Sequence, residues 1–386
     1  MQWHRWLAVL ALFGLIAGMA LFFLTAAWQA QTPDSATSSD GALGSSVETQ
    51  AVLASLPTLP SKEARSRLVC EAKRREASES SFRHIAVAVA TLWSAPDRAR
   101  AADRPSLGNP VDIRAWLTPL GIPEKLWLVG KLETEALLGT KVRVLEERGA
   151  WVKVAVPEQG KPGSPEGYPG WLPATQLVEV GLDYEACPYA VVRKPTAKVF
   201  AASDAEKNGT ESRFELSFNT RLPIVREEES RWGVALPQGI RWIDKSDVKM
   251  AGFEASETNE PVTGEGLVET AMQFLELPYL WAGTSGFGFD CSGFTYSLYR
   301  HYGIAIPRDA KDQAAAGTPV GLKELKPGDL LFYAYNKGKG KVHHVSMYIG
   351  GGQMVHSPKT ESAVEILPVQ TPEYAAEFAG ARRYLK

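Results

Sequence analysis

Two stretches of this chain repeat one pattern, and few folds accommodate it. In the first, Lys141-Val142-Arg143-Val144-Leu145 alternates as a half-buried strand does, and Glu147-Arg148-Gly149-Ala150 reads as a turn. Trp151-Val152-Lys153-Val154-Ala155-Val156 alternates again, and Gly170-Trp171-Leu172-Pro173 closes the unit. In the second, Leu222-Pro223-Ile224-Val225 leads through a charged turn at 226–231 to Trp232-Gly233-Val234-Ala235-Leu236 and then Gly239-Ile240-Arg241-Trp242-Ile243. The stretch from Pro188 to Phe200 adds a strand, a turn and a strand to that unit. Short strands with little helix leave exposed edges, and closing the sheet on itself removes them. The repeat therefore predicts two small β-barrels in tandem.

The character changes from Gly264 onward. A helix is expected over Leu267–Leu275 and a second over Asp290–Tyr302, ended by Gly303. Strands are expected at 330–333, 342–349 and 353–355, with further ones at 366–369 and 381–385. Helices first and antiparallel strands after make an α+β domain. A chain of 386 residues has room for these parts. We divide it into an N-terminal segment 1–30, a flexible spacer 31–60 and a first barrel unit 61–180 whose start, 61–82, reads as a charged helix. A second barrel unit 181–253, a linker 254–263 and a C-terminal domain 264–386 follow. From Trp6 to Trp28 no residue is charged, and Arg5 precedes the run. It is long enough to span a bilayer, while Thr25 and Ala27 also suit cleavage, so signal peptide and retained anchor both stay open. Either way the rest of the chain is expected beyond the cytoplasmic membrane, in the periplasm, the envelope or the medium. Membrane contact is expected only through residues 6–28.

The formal net charge of −2 gives no pull toward nucleic acid. The chain has three cysteines, Cys70, Cys187 and Cys291. A Cys70–Cys187 disulfide is compatible with an exported protein, and an odd count leaves one thiol over. Cys291 follows Asp290, a good N-cap, so it falls in the first turn of the expected helix. Unpaired N–H groups there favour a thiolate and a lowered pKa, and they can also hold an oxyanion. Downstream, His343-His344-Val345-Ser346-Met347-Tyr348-Ile349 is a strand, Gly350-Gly351-Gly352 its turn, and Gln353-Met354-Val355-His356 the return. Adjacent antiparallel strands bring His344 and His356 to one face and send His343 to the other. A thiol with two imidazoles is a kit for covalent hydrolysis of an amide: Cys291 as nucleophile, one imidazole as base and the other to fix its tautomer and orientation. No metal-ligand spacing is present, and no metal or cofactor is expected.

Residues 264–386 resemble the NlpC/P60 peptidases, papain-like hydrolases of bacterial cell-wall peptides. The matching segments are Leu277-Pro278-Tyr279-Leu280-Trp281-Ala282-Gly283, Asp290-Cys291-Ser292-Gly293-Phe294 and Pro307-Arg308. Leu325-Lys326-Pro327-Gly328-Asp329-Leu330, His344–Gly350 and Val355-His356-Ser357 complete them. Ala282 and Ser346 stand where the family commonly has glycine. The resemblance implies that Cys291 is the nucleophile, His344 the general base and His356 the orienting third member, and makes Tyr279 an aid at the oxyanion site. The whole layout resembles a subgroup with two SH3-like barrels ahead of the catalytic domain. That subgroup implies γ-D-glutamyl-L-diamino acid endopeptidase activity on stem peptides with a free N-terminal L-Ala, the diamino acid being meso-diaminopimelate or L-Lys. It also implies a tyrosine and an acid for the substrate ammonium, matched here to Tyr168 and to Glu133 or Glu135. Asp290 and Ser292 resemble the residues that anchor the amine beside the nucleophile. The expected partners are peptidoglycan stem peptides, met by a monomer. Two other readings remain at this point: an amidase or acyltransferase with the same thiol, and a non-catalytic wall-binding protein.

Overall fold

The structure, a computed structural model, describes residues 67–71, 73–74, 81–179, 182–184, 187–201, 211–252 and 262–386. The apolar run near the N-terminus and the spacer lie outside the described residues, as does nearly all of the linker. Among the described residues no helix is long and apolar enough to cross a membrane.

The stretch expected to start as a charged helix is extended where it is described. It forms β1 (Arg67–Leu68) and β2 (Lys73–Arg74). Cys70 is disulfide-bonded to Cys187, and this ties the segment to the second sheet. Strand pairing and the covalent tie override a local helical preference here.

The first sheet contains β3 (Phe82–Ile85), β4 (Val89–Trp93), β5 (Leu132–Leu137), β6 (Lys141–Arg148), β7 (Trp151–Val156), β8 (Tyr168–Pro173) and β9 (Leu177–Val178). Their order is β5-β4-β8-β7-β6-β3-β9. Helices α1 (Ile113–Leu117) and α2 (Ile122–Trp127) interrupt it between β4 and β5. The patterning around 94–131 gave no sign of them. They cover a core of Trp93, Trp116, Trp151 and Trp171. The second sheet holds β11 (Tyr189–Val192), β12 (Thr196–Phe200), β13 (Glu211–Ser217), β14 (Arg221–Glu227), β15 (Arg231–Leu236), β16 (Gly239–Asp244) and β17 (Val248–Ala251). Its order is β13-β12-β16-β15-β14-β11-β17, with β1 on β14, while β10 (Leu182–Asp183) pairs with β2.

Both sheets are open, so the expectation of two closed barrels is corrected. In the first, β5 and β9 end the order without pairing; in the second, β13 and β17 do. The C-terminal part of the chain covers edges that closure would have removed. Along β5, Trp281 Nε1 donates to the Leu132 carbonyl at 3.0 Å and the Thr284 N–H donates to Glu135 Oε2 at 2.8 Å. Leu280 and Ala282 join the tryptophan core of the first sheet. At the end of β13, the Gly286 N–H donates to Ser217 Oγ at 2.9 Å. A Cβ on Gly286 would collide with the Pro195 carbonyl oxygen, so this approach needs glycine. Beside β17, Lys249 Nζ donates to the His301 carbonyl at 2.7 Å.

The C-terminal part is α+β. Helix α3 (Gly264–Met272) and the ribbon β18 (Thr284–Ser285)–β19 (Gly288–Phe289) precede α4 (Cys291–His301) and α5 (Ala310–Ala315). Strands β20 (Thr318–Val320), β21 (Leu330–Ala334), β22 (Val342–Gly350), β23 (Gln353–His356), β24 (Glu365–Pro368) and β25 (Phe378–Arg383) form an antiparallel sheet ordered β20-β25-β21-β22-β23-β24. Phe274, Phe289, Phe294 and Leu298 pack with Phe332, Val345 and Met347 between helices and sheet.

Candidate active site

Asp290 caps α4, its Oδ1 accepting the Gly293 N–H at 2.6 Å. That cap puts Cys291 at the first helical residue. Glycine is required at 293, because a Cβ there would meet the Gly283 carbonyl oxygen. Ala282, just before that carbonyl, holds a left-handed φ of 65°, which explains why glycine suits the position.

His344 lies in the central strand β22, between β21 and β23, and His356 ends β23. The turn between them, Gly350–Gly352, has three positive φ values, so only glycines make it without strain. Met347 stands opposite Val355, which sets His344 diagonally from His356 on one face. Their rings meet edge to face, with His344 Nε2 2.9 Å from His356 Nδ1. Tyr374 and Tyr333 flank the His344 ring. His356 Nε2 is buried without a hydrogen-bond partner; the nearest carboxylate oxygen, Glu365 Oε1, is 3.5 Å away and outside hydrogen-bond geometry. His343 faces the other way, bonding Glu377 Oε2 at 2.9 Å.

The thiol departs from expectation. Burial and the Asp290 charge push Cys291 up to about 12, against the opposing pull of the Val345 and Ser292 N–H groups and Arg308. The helix end favours a thiolate, but desolvation outweighs it. Contact with the Val345 N–H sets the sulfur against β22, one residue from His344. Burial first, then His356 and His343, hold His344 well below the usual histidine range, and burial lowers His356 to about 4. The resting site near pH 7 thus has a neutral thiol beside neutral imidazoles. Tyr279 is buried, and burial followed by Cys291 raises its phenol well above the usual value, so it keeps its proton and can donate it in a hydrogen bond.

Asp290 does more than cap. Its two oxygens take Arg308 Nη1 at 3.0 Å and Nη2 at 2.7 Å. Arg308 also donates to Ser292 Oγ at 3.0 Å and, through Nε, to Thr134 Oγ1 of β5 at 3.1 Å. Oδ1 also accepts from the Gly293 N–H and the Ser292 hydroxyl, while Oδ2 accepts from Arg308 alone, so a substrate amine at Asp290 would share that carboxylate with the Arg308 guanidinium. Arg308 is the residue that sequence reasoning undervalued. It was part of a matched segment but carried no role, because its partners are distant in sequence.

The residues matched to the substrate ammonium divide into two groups. Glu135 is 1% exposed, its Oε1 unpartnered beside Ser285, and burial raises it to about 7. Tyr168 is buried, and its hydroxyl donates to Asp309 Oδ1 at 3.0 Å. Burial, then the Asp309 charge, raise that phenol strongly. Glu133 is partly exposed and opens toward the same place. Asp309, next to Arg308, was not singled out in the sequence; only the fold brings it to Tyr168.

A buried cysteine at a helix start, paired with a two-histidine strand hairpin, defines a thiol hydrolase. Residues 276–383 match the family model described as NlpC/P60 family. Residues 192–250 match the YKFC SH3b2 domain, and 130–177 the bacterial dipeptidyl-peptidase Sh3 domain. The chain is 47% identical over 316 residues to a Gamma-D-glutamyl-L-lysine dipeptidyl-peptidase of Bacillus cereus, covering 80% of this chain and 93% of that one. It is 43% identical over 298 residues to the Bacillus subtilis protein of the same name, covering 77% and 96%. The crystal structure of an NlpC/P60 family protein from Bacillus cereus superposes with a TM-score of 0.74 at 46% identity, over 79% of this chain and all of that one. The chain belongs to the NlpC/P60 family and is a cysteine peptidase with neighbouring SH3-like regions.

Proposed function

We propose that this protein is an endopeptidase that cuts the γ-D-glutamyl–diamino acid bond of peptidoglycan stem peptides carrying a free N-terminal L-Ala. The name of the two Bacillus relatives supports the bond, and favours L-Lys over meso-diaminopimelate as the diamino acid. The observation that carries the chemistry is the 2.9 Å bond between His344 Nε2 and His356 Nδ1, because it leaves His344 Nδ1 to serve the thiol.

In this reading the Cys291 proton moves to His344 Nδ1 as Sγ bonds the γ-carbonyl carbon. The Ser292 and Val345 N–H groups and the Tyr279 hydroxyl lie near the sulfur to receive the oxyanion. The C–N bond then breaks, and His344 passes its proton to the departing amine. Water gives a proton to His344 and its oxygen to the thioester carbon; the C–S bond breaks and the thiol regains its proton. His356 holds the ring and its tautomer. Tyr168, Asp309 and Glu133 take the substrate ammonium, a role for which Glu135 is too buried. Residues 6–28 serve as export signal or anchor, and the enzyme works as a monomer beyond the cytoplasmic membrane.

Digestion of defined tripeptides tests this. L-Ala-γ-D-Glu-L-Lys with a free amino terminus should be cut at the glutamyl bond, and its N-acetylated form about a hundredfold less efficiently, since an acylated end strands two carboxylates. Equal cleavage removes the ammonium site. Products that carry the acyl group on an added amine instead of water would mark an acyltransferase, and binding without cleavage a wall-binding protein.

A further inference from the structure

The ammonium site is already filled by the protein itself. Lys161 Nζ stands 3.7 Å from Asp309 Oδ2, 4.0 Å from Glu133 Oε2 and 3.7 Å from the centroid of the Tyr168 ring. Two carboxylates and an aromatic face are what an ammonium seeks, and one lysine nitrogen meets all three. The loop that carries it, between β7 and β8, is fastened to the C-terminal part of the chain. Glu158 holds Arg300 Nη2 at 2.7 Å and the Arg308 N–H donates to the Gly160 carbonyl at 3.2 Å, while Gln159 Nε2 ties the loop back to β5 through the Glu135 carbonyl at 2.7 Å. The lysine is thus delivered to the cluster by a braced segment. The cluster in turn adjoins the thiol: Asp309 follows Arg308, whose guanidinium bonds Asp290 and Ser292 on either side of Cys291.

We propose that Lys161 is an internal competitor for the substrate's amino terminus: its ammonium occupies the Asp309–Glu133–Tyr168 site in the free enzyme, and a substrate must displace it. The inference rests on the reading of that cluster as the ammonium site. Its consequence is selective. A free amino terminus returns a cation to both carboxylates when Lys161 leaves, whereas a blocked one leaves them facing each other unpaired. Lys161 therefore lowers affinity for every ligand that enters the site, and only cations recover the loss. The side chain is 26% exposed, so its flexible stem can swing the ammonium out of the cluster.

The test is calorimetric titration of the full-length enzyme with the dipeptide L-Ala-γ-D-Glu, which has no scissile bond and keeps the free amine. Lys161→Met removes the charge and keeps the length of the side chain. It should bind the dipeptide about tenfold more tightly than wild type, the equivalent of one partly exposed ion-pair and cation–π cluster no longer broken on binding. Lys161→Arg, which restores a cation, should return the affinity toward wild type; a merely structural role would not follow the charge in this way. Unchanged or weaker binding by Lys161→Met, while wild type still prefers the free dipeptide over its N-acetyl form, overturns the competitor role and leaves the ammonium site standing. Equal affinity of wild type for free and acetylated dipeptide overturns both.

Discussion

Burial governs the chemistry of Cys291 more than its place at a helix end does. The thiol is pushed up to about 12 and His344 is held well below its ordinary value, so proton transfer has to accompany attack. A consequence follows for pH. His344 stays neutral, and competent as a base, well under pH 6.5. The acid limb of kcat/KM, which reports the free enzyme, should lie below that value. At pH 5.5 the enzyme should keep a clearly larger share of its plateau kcat/KM than the roughly one tenth that a base with an ordinary pKa near 6.5 would keep. A midpoint at about 6.5 or higher in a steady-state pH series would refute this account of the site. The placement of Cys291 at a helix start and of His344 and His356 on one face was readable in the sequence because cap, strand alternation and triple-glycine turn are all local. The direction of the thiol shift was not, since it depends on what buries the sulfur.

The strand β5 and the ribbon β18–β19 meet at Glu135, and their junction carries a titrating group. The carboxyl accepts the Thr284 N–H and is otherwise desolvated, which raises it from 4.5 to about 7. A raised folded-state pKa means the folded protein holds a proton that the unfolded chain has lost between those values. The resulting stability is complete below about pH 4.5 and disappears as pH rises through about 7. Glu135→Gln preserves the neutral form at every pH. It should match wild type near pH 4.5 and exceed it by about 3 kcal/mol at pH 8. Urea denaturation at the two pH values checks this; an equal difference at both would show that the carboxyl titrates normally. Element-level patterning found the strands of both repeats and the helix of the nucleophile. It failed over the described part of 61–82, where pairing with β14 and the disulfide decide the conformation, and at α1 and α2, which are too short for helical periodicity to register.

At the scale of the molecule, the open sheets are explained by what closes over them. The first sheet does not complete a barrel because β5 gives its edge and its tryptophan core to Trp281, Thr284 and Leu280. The same contact brings Thr134 to Arg308 and Lys161 to Asp309, so the SH3-like region stands beside the residues that flank Cys291. A repeat pattern predicts the strands but not whether their edges meet one another or a neighbour, and pairs such as Thr134 with Arg308 leave no trace in a single sequence. The proposed function requires hydrolysis of one bond by one thiol. Mass spectrometric analysis of L-Ala-γ-D-Glu-L-Lys after incubation with wild type and with Cys291→Ala tests it most directly. Wild type should release L-Ala-γ-D-Glu and free lysine, and Cys291→Ala should lose at least about a thousandfold in rate while keeping its fold by circular dichroism. Turnover by the variant at a rate near that of wild type, or cleavage at the alanyl bond instead, would contradict it.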